Sequence, residues 1–119
     1  MTTLTTAPLA PLLDRLFTEA EAPSPQLASA LARIPAEERA SLMASTTGYR
    51  EFYTLAKDAY LAVSPETARL LYMLARSAGA HSIVEFGTSF GISTLHLAAA
   101  LRDNGGGQVI ATEFEPSKA

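Results

Sequence analysis

The sequence contains no cysteine, which excludes a disulfide framework and any zinc site with cysteine ligands. It also lacks a basic cluster, because nine Lys and Arg stand against twelve Asp and Glu for a formal charge of −3. Nucleic acid is therefore not an expected partner. Residues 1–7 carry no Lys or Arg and run into Pro8 and Pro11, so we expect neither a signal peptide nor a membrane span. The missing cysteine fits a reducing compartment, and the cytoplasm is the expected location.

The first half of the chain shows apolar residues at helical spacing and no strand pattern. The clearest run begins at Leu9 and ends at Ala20, and it predicts an amphipathic helix. Three more helical segments follow, and the last one places aromatic residues on one face: Tyr49, Phe52, Tyr53 and Tyr60. We therefore predict a helical N-terminal or cap region over residues 1–62.

The second half changes to an alternation of helices and strands. Ser64-Pro65-Glu66 is a helix-start signature, with a capping hydroxyl, a proline at the first helical position and an acid in the first turn. The apolar residues of this helix are predicted to pack on a sheet: Leu70, Leu71, Met73, Leu74 and Ala78. Residues 82–86 read as a buried strand and residues 108–112 as a second strand, with another helix between them. The pattern predicts an α/β fold with a βαβ unit and parallel strands.

Two strands do not make a stable sheet, since doubly wound sheets carry about five or six. Residues 115–119 look like the beginning of a further helix. We therefore expect the sequence to be the N-terminal part of a longer protein, with residues 63–119 forming an incomplete ligand-binding domain. An exposed strand edge also leaves open a non-catalytic module that associates with another copy, and we expect a homo-oligomer.

The turn after the first strand carries the most specific pattern, Gly87-Thr88-Ser89-Phe90-Gly91. A dinucleotide fingerprint would need glycine at positions 89 and 92, where the sequence has serine and isoleucine. The same residues match the G-x-S-x-G elbow of serine hydrolases, so Ser89 as a nucleophile is an alternative. His96 is in the following helix, where it is poorly placed to serve Ser89.

A wider pattern surrounds this turn: Glu85 stands before it, and Glu113 follows the second strand. With its two glycines, this arrangement resembles the cofactor-binding half of class I S-adenosylmethionine-dependent methyltransferases. Residues 60–66 and 84–94 are similar to those of the small-molecule O-methyltransferases related to catechol O-methyltransferase. The resemblance covers residues 49–119. It implies a Rossmann-like sheet, S-adenosylmethionine as the cofactor and a small-molecule methyl acceptor.

The resemblance also implies roles for individual residues. Glu113 would accept the ribose hydroxyls, Glu85 would lie near the methionine ammonium, and Ser93 would bind the methionine carboxylate. Gly87, Ser89 and Gly91 would form the turn against the cofactor, while Val63 and Ser64 would close over its amino-acid end. In the catechol-type relatives the metal carboxylates and the catalytic lysine follow later in the sequence. A divalent metal is thus an expectation for a longer protein only, and no catalytic or metal-binding residue is assigned in this chain, which we expect to be inactive alone.

Overall fold

The computed structural model describes all 119 residues and begins with a helical region. The elements, in chain order, are a 3-10 helix at Thr3–Thr5, α1 at Leu9–Glu21, α2 at Pro25–Ala32, α3 at Ala36–Ala44, α4 at Tyr49–Leu55, α5 at Pro65–Ser77, β1 at Ser82–Phe86, α6 at Ile92–Asp103 and β2 at Gln108–Thr112. The predicted fold class is confirmed, since a helical region precedes one βαβ unit. None of the helices combines the length and the apolarity that crossing a bilayer requires.

The starts of two helices follow from local sequence. Ser64 lies at the N-cap of α5, where its Oγ accepts the backbone N–H of Thr67 at 3.2 Å. Pro65 follows at the first helical position. Proline has no backbone N–H, and no hydrogen bond is lost there because the first N–H of a helix has no partner within the helix. Ser24 and Pro25 repeat the arrangement at the start of α2.

The sheet has two parallel strands, with Ile83 opposite Val109 and Phe86 opposite Thr112. Ile83 and Val109 pack against the hydrophobic core, which lies on one side of the sheet. The opposite face is bare, and Val84 and Phe86 are 73% and 97% exposed. The prediction that β1 is fully buried is therefore wrong, because the core formed by α5 and α6 covers only one face of the sheet.

The core is centred on the packing of α5 against α6. Tyr72 and Ala75 of α5 contact a cluster of small and apolar residues from α6: Leu97, Ala99 and Ala100. The predicted packing face of α5 is largely wrong: Leu71 is half-buried, and the other four residues, Leu70, Met73, Leu74 and Ala78, are exposed. The alanines of α6 permit a close approach of the two helices, and this favours Ala68 and Ala75 on the buried side of α5.

The N-terminal segment is tied to the end of α6 by Asp103. Its carboxylate accepts the backbone N–H of Thr3 at 3.0 Å and the hydroxyl of Tyr72 at 2.6 Å. The hydroxyl of Thr3 donates to the same carboxylate and, as the main cause, lowers the pKa of Asp103 below its ordinary value. The 3-10 helix is thereby held against the core, to which Leu4 and Leu9 contribute.

Two segments differ from the sequence expectation. Helix α4 ends at Leu55, so Tyr60 lies outside it, in the segment before α5. There its ring stacks on that of Phe90 with centroids 4.2 Å apart. Residues 115–118 form turns and bends instead of a helix.

The loop between α6 and β2 passes close to the start of β1. Its three glycines have positive φ, and His81 Nδ1 is 2.7 Å from the carbonyl oxygen of Gly106. A Cβ added at Gly107 would lie 2.3 Å from the carbonyl oxygen of His81, whereas one at Gly105 would meet nothing within 4 Å. Gly107 is therefore required both for its conformation and for the space it leaves.

We expect Gly107→Ala to lower the free energy of unfolding by about 2–3 kcal/mol, since backbone strain and a steric clash add. Gly105→Ala is the matched control, and it should cost only about 1 kcal/mol because it introduces strain without a clash. Urea unfolding followed by circular dichroism measures both. Equal losses in the two variants would contradict the clash.

Candidate cofactor site

A cavity of about 690 Å³ opens at the carboxyl ends of the two strands. Most of the lining of this strand-end cavity comes from four segments: residues 61–63 before α5, the turn after β1, the start of α6 and the residues after β2. Ligands of open α/β sheets bind in this position, where loops diverge from parallel strands. The cavity brings together six of the predicted site residues: Val63, Glu85, Gly87, Ser89, Ser93 and Glu113.

The other two predicted residues, Ser64 and Gly91, do not line the cavity. Ser64 directly follows Val63, which lines the cavity. The hydroxyl oxygen of Ser64 accepts the backbone N–H of Thr67 and caps α5. Gly91 is the N-cap residue of α6, with φ 85° and no side-chain cap. Its positive φ explains the glycine, and its N–H closes the turn on the carbonyl oxygen of Thr88 at 2.8 Å.

The glycine turn, residues 87–91, begins where the strand ladder ends. Gly87 has φ 92°, and the backbone N–H groups of Gly87 and Thr88 both donate to the carbonyl oxygen of Thr112, at 3.0 and 2.9 Å. A Cβ at Gly87 would meet no atom within 4 Å, so open space borders the backbone there. A ligand can therefore approach the main chain closely at this position.

Glu113 braces the turn from the end of β2. One carboxylate oxygen accepts the backbone N–H of Ser89 at 2.6 Å, and the other accepts the N–H of Glu115 at 2.9 Å. The N–H of Glu115, more than that of Ser89, lowers the pKa of Glu113 below its ordinary value. The side chain is thus a fixed carboxylate at neutral pH. Each oxygen keeps a second lone pair for a ligand.

Glu85 lies at the other side of the turn, beneath the start of α6. Its two carboxylate oxygens accept one hydroxyl each, from Ser93 and from Thr94. The helix N-terminus adds a favourable field for the negative charge. Thr94 was not among the predicted site residues. The sequence signal that could have identified it is the pair of adjacent hydroxyl residues, Ser93 and Thr94, in the first helical turn after the glycines.

An aromatic wall completes the cavity and was also missed by sequence reasoning. It consists of Tyr49, Tyr53 and Phe114, whose ring centroids are 6.2–6.5 Å apart. The tyrosines come from α4, and Phe114 directly follows Glu113. Lys118 Nζ lies 4.5 Å from the centroid of the Phe90 ring, which also lines the cavity. The aromatic pattern of α4 predicted that its aromatic residues share one helical face, but not that Tyr49 and Tyr53 form a common surface with Phe114.

Ser89 has an unusual environment. Its φ is 48°, in the left-handed region, and its Oγ is buried without a hydrogen-bond partner. His96 is buried, and its Nδ1 is 2.8 Å from the carbonyl oxygen of Ile92. Burial lowers the pKa of this imidazole. The neutral ring therefore donates within its own helix, and the hydroxyl of Ser89 has no base bonded to it.

Comparison with known sequences identifies the family. The sequence profile of the O-methyltransferase family matches residues 37–119. The chain belongs to the O-methyltransferase family. No curated protein matches the chain. In this O-methyltransferase chain, no three His, Cys, Asp or Glu residues are grouped so that they could hold a metal ion.

Two solved structures are similar to this O-methyltransferase chain. Cofactor-bound Rv0187 from MTB is 27% identical, with a TM-score of 0.47 over 71% of this chain and 41% of that one. The O-methyltransferase TomG from Streptomyces achromogenes, involved in tomaymycin synthesis and solved in complex with SAM, is 29% identical. Its TM-score is 0.46 over 90% of this chain and 39% of that one. The present chain thus spans about two fifths of the length of these proteins.

We expect Ser89→Gly to raise the free energy of unfolding by about 1 kcal/mol, because it removes a strained Cβ and a buried hydroxyl without a partner. Glycine loses part of this gain through its greater freedom when unfolded. Ser89→Ala is the control: it removes the hydroxyl but keeps the strain, and it should gain less. Thermal and urea unfolding measure both variants. A glycine variant less stable than the unaltered chain would contradict this account.

Proposed function

We propose that this chain forms the cofactor-binding part of an S-adenosylmethionine-dependent O-methyltransferase that acts on a small molecule. The observation that carries the proposal is the pair Glu85 and Glu113. They come from the ends of adjacent parallel strands, flank one glycine turn and line one cavity. Family membership and the SAM bound to TomG support the choice of cofactor.

The residues present fit the cofactor at both of its ends. Glu113 is a fixed carboxylate with a free lone pair on each oxygen, which suits two adjacent ribose hydroxyls. Glu85 supplies a second carboxylate for the methionine ammonium, and Ser93 with the α6 N-terminus suits the methionine carboxylate. Gly87, Ser89 and Gly91 form the turn beside it. Val63 borders the amino-acid end, and Ser64 follows it as the cap of α5.

When bound, the cofactor supplies an electrophilic methyl group on a sulfonium, and the protein must align an acceptor and make it nucleophilic. We assign no base and no metal ligand in this chain. We therefore propose that the 119-residue chain binds the cofactor weakly and does not transfer methyl groups alone.

The serine hydrolase alternative has weaker support. Ser89 has a positive φ and follows a strand, as a G-x-S-x-G elbow requires. Its Oγ, however, is buried and accepts or donates no hydrogen bond, and the nitrogen Nδ1 of His96 is engaged with Ile92. A nucleophile needs a base within reach and an accessible oxygen, so the turn suits a cofactor better.

We propose the boundary between the two regions at residues 62 and 63, with a helical cap over 1–62 and the cofactor-binding part over 63–119. The aromatic wall supports this division, because Tyr49 and Tyr53 of the cap face the cavity that the second region forms. The cap would then help to enclose the methyl acceptor.

We expect Glu113→Gln to weaken S-adenosylmethionine binding by about tenfold, since a neutral amide replaces a charged acceptor of two hydrogen bonds. Glu21→Gln, on the exposed end of α1, is the matched control and should bind as the unaltered chain does. A ¹H–¹⁵N chemical-shift titration measures weak binding by the folded chain. The same samples should show no methyl transfer to a panel of catechols and phenols.

Failure of the unaltered chain to bind S-adenosylmethionine at millimolar concentration would overturn the proposed cofactor site. Equal binding by the Glu113 variant would remove the role of that residue. Methyl transfer by the 119-residue chain would contradict the proposed inactivity.

A specific observation also favours self-association, with a second copy as the partner. β1 pairs with β2 on one edge only, so the backbone groups of its other edge have no strand partner. Val84 and Phe86 lie on the bare face beside that edge. Two β1 strands related by a two-fold axis would place Val84 opposite Val84, and they would bring no two like charges into register because Glu85 is the only charged residue of the strand.

We expect sedimentation equilibrium at tens of micromolar to show a dimer. Val84→Lys should shift it to monomer, because two lysines would meet at the centre of the shared edge. Met43→Lys is the matched control, since Met43 is 71% exposed on α3, and it should leave the dimer intact. A monomeric unaltered chain would overturn this association.

A further inference from the structure

We infer that Thr94 is a positioning residue for the ammonium-binding carboxylate Glu85, an inference that rests on the proposed function. Thr94 lies in the first turn of α6 and is half-buried. Its hydroxyl donates to one oxygen of Glu85, while that of Ser93 donates to the other. Together the two hydroxyls fix the plane of the carboxylate.

The two hydroxyls differ in their relation to the cavity. Ser93 lines it, whereas Thr94 does not. A ligand that enters the cavity can therefore recruit the hydroxyl of Ser93, for example with its own carboxylate. The bond from Thr94 lies outside the reach of the ligand and remains when the cavity is filled.

Orientation matters because the last torsion of a glutamate side chain is broad and has no sharply preferred value. Held only by Ser93, the Glu85 carboxylate would lose its second anchor when a ligand takes that hydroxyl. Held by Thr94 as well, it keeps one oxygen in place and presents the remaining lone pairs to a cation. The threonine thus contributes to binding without touching the ligand.

The inference predicts an effect confined to the amino-acid end of the ligand. S-adenosylmethionine carries the ammonium that Glu85 would bind, whereas 5′-methylthioadenosine has the same nucleoside and sulfur but no amino-acid end. A loss of the Thr94 hydroxyl should therefore weaken the first ligand and spare the second. General damage to the site would weaken both.

The test is a ¹H–¹⁵N titration of the 119-residue chain with each nucleoside. Thr94→Val, which preserves shape, should weaken S-adenosylmethionine binding by about tenfold and leave 5′-methylthioadenosine binding unchanged. Thr94→Ser restores the hydroxyl and should bind within about twofold of the unaltered chain. In a Glu85→Gln background, Thr94→Val should have little further effect, because the group it positions is no longer charged. Thr94→Ala replaces the valine variant if the latter loses its dispersed spectrum.

The outcomes separate this inference from the proposed function. Equal weakening of both ligands by Thr94→Val, no weakening of either, or no rescue by serine would overturn the role of Thr94 while the cofactor site stands. Failure of the unaltered chain to bind either nucleoside would overturn the proposed function and the ligand role of Thr94 with it.

Discussion

The candidate site depends on one hydrogen bond, from the backbone N–H of Ser89 to the carboxylate of Glu113. It joins residues 24 positions apart and holds the glycine turn against the end of the second strand. The parallel register makes it possible, because Phe86 lies opposite Thr112 and the next residues of both strands emerge side by side. The carbonyl oxygen of Thr112 then accepts two N–H groups from the turn. Hydrogen bonds between the two chain segments therefore continue beyond the ends of the strands and place the turn over the cavity.

The two acids act on the turn from opposite sides. Glu113 binds backbone N–H groups, while Glu85 binds side-chain hydroxyls at the start of α6. Neither carboxylate is paired with a basic side chain, so both keep their charge available for a ligand. Ser89, whose N–H donates to Glu113, has a positive φ of 48°. Strain of this kind is concentrated at functional sites, where orientation is favoured over stability.

Sequence reasoning succeeded where the signals are local. Ser64 and Pro65 begin a helix as predicted. The family resemblance grouped Glu85, Gly87 and Glu113 at one cofactor site; all three line one cavity, and their roles there stay a prediction. Sequence reasoning failed where the burial of a residue depends on which elements pack against each other. Val84 is exposed because the core covers only one side of the sheet, and Leu70 is exposed because α5 packs against α6 through its alanines. Thr94 and Phe114 were missed because their importance arises from contacts between elements.

The helical region and the βαβ unit are not independent in this fold. Thr3 is bonded to Asp103 at the end of α6, and the ring of Tyr60 stacks on that of Phe90 in the glycine turn. Phe17 of α1 contacts His96 of α6 edge to face, with centroids 5.9 Å apart. These contacts bury the side of α6 that faces away from the cavity. Ser93 and Thr94, which donate to Glu85, lie at the start of this helix, so the N-terminal helices stabilise the element that holds the Glu85 carboxylate. Tyr49 and Tyr53 of the same helical region line the cavity.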